Sequence, residues 1–229
     1  MHWKSESAEP CRASALHALQ TLPSSTPAAG TAVLMSGWRD VRPNGEIFSQ
    51  HQRVSNVHAV VSGAVRLIRL MKDGRRQIGA FYLPGDLFGL ESEERHSFSA
   101  EAIVNSRIGS SKRSTFLDAA MCNQALAFQL WTTTAAHLQR AQCHMSVLGR
   151  STAQERIAKF LLDMDSRLNS VGEIELPMPR RDIADYLGLT IETVSRVFHR
   201  FERKRIISIP DARRVVLSDP KALLQMSEA

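Results

Sequence analysis

Residues 183–201 read IADYLGLTIETVSRVFHRF, and their spacing decides the C-terminal fold. Ile183, Ala184 and Leu187 line one face of a short helix. Pro179, just upstream, suits a first helical turn, where its missing N–H costs nothing. Gly188 supplies the backbone freedom for a tight turn, and Leu189 plugs the angle that follows. Thr190 is the N-cap of the next helix. Thr193, not glutamate, stands three residues on, so no capping box is expected. Val194, Val197, Phe198 and Phe201 give that second helix its buried stripe. Two short helices meeting at a glycine form a helix-turn-helix.

The other face of the second helix carries Ile191, Glu192, Ser195, Arg196, His199 and Arg200. Steps of three and four set Glu192, Ser195, Arg196 and His199 side by side. These groups suit a DNA major groove. Arg196 can donate two hydrogen bonds to guanine O6 and N7, and Glu192 can accept from cytosine N4. Ser195 is small enough for close approach, and Ile191 can meet a thymine methyl. Ile191, Glu192, Ser195 and Arg196 are therefore the expected base readers. Arg180, Arg181, Thr190, Thr193, His199, Arg200, Lys204 and Arg213 are the expected backbone contacts. A plain helical Glu192–Arg196 pair is the competing reading of those two residues, worth about 0.2–0.5 kcal/mol. Met178–Arg214 holds nine Arg or Lys against five Asp or Glu, a net of +4. Beyond the second helix, Ile206–Pro210 and Arg213–Leu217 alternate like strands around Asp211 and Ala212, which reads as a two-stranded wing.

Upstream, Ile157, Ala158, Phe160, Leu161 and Leu162 mark an amphipathic helix with a fresh cap at Ser151 to Gln154. Ile174–Leu176 reads as a short strand. Before that, Leu117, Met121, Gln124, Phe128, Trp131, Ala135, Leu138, Gln142 and Met145 recur at alternating fours and threes. This heptad-like stripe predicts one long helix over 114–148, about 42 Å of it striped. Met121, Phe128, Trp131, Ala135, Leu138 and Met145 are the expected dimer seam.

Residues 31–113 change period. His58–Leu70 alternates and then runs apolar, Asp73-Gly74 is a hairpin signal, and Gln77–Leu83 returns as a strand. Pro84-Gly85-Asp86 is a second turn, and Phe98–Ile108 adds further strands. Short strands at this spacing predict an antiparallel jelly roll or barrel. Residues 1–30, with Pro23 and Pro27 in a Ser- and Ala-rich stretch, are expected to be a loose arm.

Composition sets bounds. The chain has 229 residues, is 43% hydrophobic and 23% charged, and carries +6 net charge. That describes a globular protein whose basic surplus permits nucleic-acid binding. No apolar run reaches membrane-spanning length, and no signal-like segment opens the chain. Cys11, Cys122 and Cys143 are too few and too scattered for a disulfide framework or a metal site. A reducing, cytoplasmic setting follows. Cys122 and Cys143 fall in apolar helical surroundings, where an inert buried thiol is expected, with redox control as the alternative. There is no HxH metal pair, nucleophile elbow or phosphate loop, so an enzyme is not expected.

The run Ile183-Ala184-Asp185-Tyr186-Leu187-Gly188-Leu189-Thr190-Ile191-Glu192-Thr193-Val194-Ser195-Arg196 resembles the CRP/FNR family of bacterial regulators, and its FixK-type branch in particular. Gly63-Ala64-Val65-Arg66-Leu67 and Pro84-Gly85-Asp86-Leu87-Phe88-Gly89 resemble that family's sensory jelly roll. The resemblance covers nearly everything after residue 40. It implies a homodimer on the central helix and a palindrome close to TTGAT-N4-ATCAA, with Glu192, Ser195 and Arg196 reading each half-site. It also implies recruitment of RNA polymerase and activation of microoxic and nitrogen-fixation genes.

The chain departs from the cyclic-nucleotide-binding relatives. Their phosphate cassette has a glutamate right after the glycine and an Arg-Ser pair further on. Here Gly89 is followed by Leu90, Glu91 comes one place late, and His96-Ser97 stands for the pair. Glu91, Glu93 and Glu94 also oppose an anion. Three cysteines cannot supply the four thiolates of the cluster-binding relatives. No cofactor and no metal are expected, with haem sensing through one of the eight histidines as the alternative left open.

The sequence thus predicts an α+β protein: an arm (1–30), an N-terminal antiparallel β jelly roll (31–113), a long dimerisation helix (114–148) and a C-terminal winged helix-turn-helix domain (149–229). The expected function is a homodimeric, effector-free activator on double-stranded DNA. A repressor at the same type of site, or a ligand- or redox-responsive regulator, is the alternative.

Overall fold

A computed structural model describes residues 35–71, 73–150 and 152–228. The expected arm at 1–30, with Cys11, lies outside the described residues. The jelly-roll segment contributes β1 (Gly37–Val41), β2 (Glu46–Phe48), β3 (Asn56–Ser62), β4 (Val65–Leu70), β5 (Arg76–Tyr82), β6 (Leu87–Phe88), β7 (Ser99–Ala102) and β8 (Ser106–Lys112). They form two four-stranded sheets, ordered β1-β8-β3-β6 and β2-β7-β4-β5, with every pairing antiparallel. Val41, Phe48, Val60, Val65, Phe88, Ala100, Ala102 and Ile108 fill the space between them.

The apolar run in β3 has a simple cause. Val57 and Ala59 point out of the sandwich, beneath Phe116, Ala120 and Leu126 of the helices, while Val60 points into it. A strand covered on both faces loses the polar alternation of a surface strand. The Asp73-Gly74 signal falls in the β4–β5 hairpin, where Gly74 takes φ 81° and Met71 and Arg75 close the loop.

The long stripe is carried by two helices, α1 (Arg113–Cys122) and α2 (Gln124–Arg150), rather than the one expected over 114–148. Asn123 is extended (φ −130°, ψ 105°), and its side-chain oxygen accepts from the Leu126 N–H at 3.1 Å, starting α2 afresh. Helix α3 (Ala153–Leu168) follows. Its cap is Thr152 with Glu155, one residue later than the expected Ser151 and Gln154. Thr152 N–H donates to the Glu155 carboxylate at 3.0 Å, and Glu155 N–H donates back to the Thr152 hydroxyl at 3.4 Å.

The C-terminal part continues with β9 (Glu173–Glu175), α4 (Arg180–Leu187), α5 (Ile191–Arg203), β10 (Ile207–Ser208), β11 (Arg214–Leu217) and α6 (Pro220–Glu228). The expected two-stranded wing has a third strand: β9 pairs with β11, giving the order β10-β11-β9. Ile157, Leu161, Ile183, Val194, Phe198, Phe201 and Val215 make this domain's core. That core is continuous with Ala64, Ile68, Ile78, Phe81, Leu83 and Ile103 of the jelly roll. Among the described residues, no helix is long and apolar enough to cross a membrane.

Candidate nucleic-acid interface

Helices α4 and α5 meet at Gly188, which takes the left-handed conformation (φ 62°, ψ 40°) and returns its N–H to the Ala184 carbonyl. Thr190 then caps α5: its hydroxyl accepts from the Thr193 N–H at 3.2 Å. The two threonine hydroxyls lie 3.1 Å apart. Val194, Val197, Phe198 and Phe201 are buried, so the opposite face must point outward. Ile191, Glu192, Arg196, His199 and Arg200 are exposed on it, and Ser195 is half-buried among them. The four expected base readers thus share one outward row.

Within that row Glu192 and Arg196 form no ion pair. Arg196 Nε donates to the Glu192 carbonyl oxygen at 3.3 Å. The Glu192 carboxyl is held below the usual glutamate range by its own backbone N–H, then by the Thr190 hydroxyl, with Arg196 adding a weaker attraction. A helix N-terminus favours the same ionised form. The row therefore presents a carboxylate acceptor, a hydroxyl and a guanidinium donor, the set that complements base edges.

The expected backbone contacts divide into groups. Arg200 and Lys204, with Arg203, line a shallow basic cleft of about 320 Å³ at the end of α5. Arg203 belongs to the run Arg203-Lys204-Arg205, which extends the basic face beyond the recognition helix. His199 faces Glu202 at 3.6 Å on the surface. Arg181 is exposed at the start of α4. Arg180 differs from the rest: its guanidinium carbon sits 3.5 Å from the centroid of the Phe198 ring. Burial lowers its pKa to about 10, so it stays charged, but that charge lies between α4 and α5. In the wing, the Asp211 carboxylate accepts from the N–H groups of Arg213 and Arg214, both at 2.9 Å. Arg214 reaches back to Glu173 at 3.2 Å, whereas Arg213 is exposed at the loop.

The six expected seam residues lie together on the long helices. Met121, Phe128, Trp131, Leu138 and Met145 are 59–78% exposed, and Ala135 is exposed between them. The opposite side of α2 packs inward: Leu126 and Leu130 join the jelly roll, and His144 stacks on Tyr186 of α4 at 3.9 Å. A line of large apolar side chains left open along a helix marks a surface for association. Cys122 and Cys143, expected to be buried, are both exposed. Each follows a stripe position by one residue, which turns it off the apolar line.

Inside the jelly roll, the residues at the cassette positions contact one another. His96 is 3% exposed, places Nδ1 3.1 Å from Glu91 and stacks on Phe48 at 3.6 Å. His58 and Tyr82 both stack on Phe88 at 5.2 Å. Among the described residues, no group of three His, Cys, Asp or Glu side chains is arranged to hold a metal.

Residues 155–226 match the Crp-like helix-turn-helix domain, and residues 38–123 match the cyclic nucleotide-binding domain. The chain is 51% identical over 188 residues to the nitrogen fixation regulation protein FixK of Azorhizobium caulinodans, covering 80% of this chain and 76% of the relative. It is 41% identical over 184 residues to the transcriptional activatory protein AadR of Rhodopseudomonas palustris, covering 78% and 76%. The structure of FixK2 from Bradyrhizobium japonicum superposes with a TM-score of 0.80 at 46% identity, covering 84% of this chain and 98% of that one. These relatives are transcription regulators, not enzymes. Together with the outward row on α5, they show that the chain belongs to the CRP/FNR family of bacterial transcription regulators, in its FixK branch.

Proposed function

We propose that this protein is a cytoplasmic activator of microoxic and nitrogen-fixation genes. It binds a palindrome close to TTGAT-N4-ATCAA as a homodimer, without a cyclic nucleotide, and recruits RNA polymerase. The observation that carries the reading is the outward row of Ile191, Glu192, Ser195 and Arg196 on α5. Ile191 meets a thymine methyl, Glu192 accepts from cytosine, and Arg196 donates to guanine. Arg181, Arg200, Lys204 and Arg213 neutralise phosphates around them. The apolar line from Met121 to Met145 pairs two chains about a two-fold axis. Each α5 then enters one of two major grooves about 34–36 Å apart.

The interior of the jelly roll supports effector-free binding. Where cyclic-nucleotide-binding relatives cradle a phosphate, Glu91 and His96 bond each other, and Phe48 stacks on His96. A half-buried carboxylate there repels a phosphodiester. The names of the FixK and AadR relatives support the regulon and the activating direction.

The test is a titration of the untreated, full-length protein against a labelled TTGAT-N4-ATCAA duplex, with a scrambled duplex as control. Selective binding with nothing added supports the reading. Binding that requires an added cyclic nucleotide, or equal binding to both duplexes, overturns it.

A further inference from the structure

Two carboxylates, one fully buried and one 16% exposed, join the DNA-binding domain to the jelly roll, and each is held by two arginines. Asp182, on α4, is 1% exposed. One of its oxygens accepts from Arg66 of β4 at 2.6 Å, and the other accepts from Arg76 of β5 at 2.5 Å. Arg76 also reaches Asp185 on the next turn of α4, at 2.8 Å. Arg66 is fixed in turn by Glu101 of β7 and by Asn44, each at 2.8 Å. The second carboxylate, Asp86, sits in the turn before β6. It accepts from Arg140 of α2 at 3.3 Å and from Arg167 of α3 at 2.9 Å. Arg167 also donates to the Phe81 carbonyl at 2.7 Å. Burial pushes the Asp86 carboxyl up, but Arg167 and Arg140 outweigh it and hold it below its usual range.

From this geometry we infer that Asp182 and Asp86 are positioning residues, which fix the bearing of α5 on the jelly roll and thereby the separation of the two recognition helices in the dimer. The inference rests on the base-reading assignment of α5 made above. Apolar contact between Ile68, Ile78 and Phe81 and the C-terminal domain holds the two bodies together but is non-directional. Charge-assisted hydrogen bonds are directional. Buried ion pairs are also a poor way to add stability, since apolar side chains of similar size often serve as well. Three of the four arginine–carboxylate pairs cross the domain boundary and the fourth, Arg140 with Asp86, ties the long helix to the same place, which registration explains better than added stability does. The two junctions grip different helices, α4 and α3, so neither alone leaves a pivot. Asp182 also shares α4 with the Gly188 turn that launches α5, so any shift of Asp182 is passed on to the recognition helix.

A dimer held in this way accepts one half-site gap. Changing the gap by one base pair moves a half-site by about 3.4 Å and turns it by about a tenth of a helical turn. The test uses the full-length dimer and four duplexes: the N4 palindrome, its N3 and N5 versions, and a duplex with one half-site. The variants are Asp182→Asn, Asp86→Asn, Arg76→Gln, Arg167→Gln and the double Arg76→Gln/Arg167→Gln. Circular dichroism and sedimentation establish fold and dimer. In the double variant, the preference for N4 over N3 and N5 falls about fivefold or more, while affinity for the single half-site is unchanged. If the Asp→Asn chains do not fold, the Arg→Gln chains carry the same test, because each leaves its carboxylate a second arginine, Arg66 at Asp182 and Arg140 at Asp86. Folded, dimeric variants that keep the full wild-type preference for N4 overturn the positioning role and leave base reading intact. A wild-type protein that ignores the palindrome overturns base reading, and the positioning role with it.

Discussion

Arg196 stands one turn beyond Glu192 on α5 and bonds its carbonyl oxygen, leaving the Glu192 carboxylate clear of the guanidinium. The two side chains therefore form no ion pair in the free protein that would have to open before they meet bases. Arg196→Ala is expected to cost about 1–3 kcal/mol on the TTGAT-N4-ATCAA duplex and to relax selectivity at one base pair per half-site. Competition binding against every single-base variant of the half-site checks this. Equal losses on specific and random DNA would show that Arg196 touches only backbone.

Arg213 tests the opposite behaviour. It lies exposed beside a loop that Asp211 tightens through two backbone hydrogen bonds. A cation on a firm loop but off the recognition helix suits a phosphate. Arg213→Ala is expected to weaken every sequence alike and to lower the salt slope of binding by about one. Titrations on palindrome and random DNA at several salt concentrations measure both effects. A loss confined to the palindrome would place Arg213 at a base edge.

The helix-turn-helix was legible because each of its signals is local. Gly188 marks the left-handed turn, Thr190 the cap, and Val194, Val197, Phe198 and Phe201 the buried stripe. The break at Asn123 was hidden because the apolar spacing runs through it unchanged, from Met121 to Gln124 and Phe128. The third strand of the wing was half visible, since Ile174 looked like strand but its partner Val215 lies far along the chain. The junction residues were not legible at all. Asp182 sits in a charged stretch that reads as surface, and its partner Arg66 is 116 residues away. Only the packing of α4 on β4 and β5 turns that carboxylate inward.

Dimerisation should respond sharply to charge on the open line of α2. Phe128 and Leu138 are 68% and 59% exposed in the single chain. Burying each against a partner is worth about 1.5–3 kcal/mol, and the two-fold axis doubles the count. Glutamate keeps good helix propensity, so Phe128→Glu with Leu138→Glu leaves α2 folded while placing like charges at the seam. The double variant is expected to sediment as a monomer at concentrations where the parent is a dimer, and to lose palindrome binding but keep weak half-site binding. An unchanged dimer would put the association surface elsewhere.

Acid sensitivity should come from His58 in the jelly roll and His137 on α2. Burial lowers the pKa of both His58 and His137 to about 4, with His96 and Arg39 adding to the effect at His58. Arg140 and Arg167 add to it at His137, where Asp86 opposes. Unfolded, each imidazole titrates near 6.5. Between about pH 6.5 and 4 the unfolded chain therefore holds protons that the folded chain does not, so stability falls as pH drops through that window. Above it, the contribution is constant. At pH 5 the loss is roughly 1–2 kcal/mol for each histidine. His137 offers a clean check, because its Nε2 is buried with no hydrogen-bond partner among the described residues. Replacing that ring with an apolar one strands no donor or acceptor. His137→Phe is therefore expected to fold normally at pH 7 and to lose part of the acid-induced drop in Tm between pH 7 and pH 5, with His58 and His144, whose pKa burial also lowers, supplying the rest. Thermal unfolding across that range measures the slope, and a parental slope in the variant would show that His137 takes up its proton without leaving the folded state.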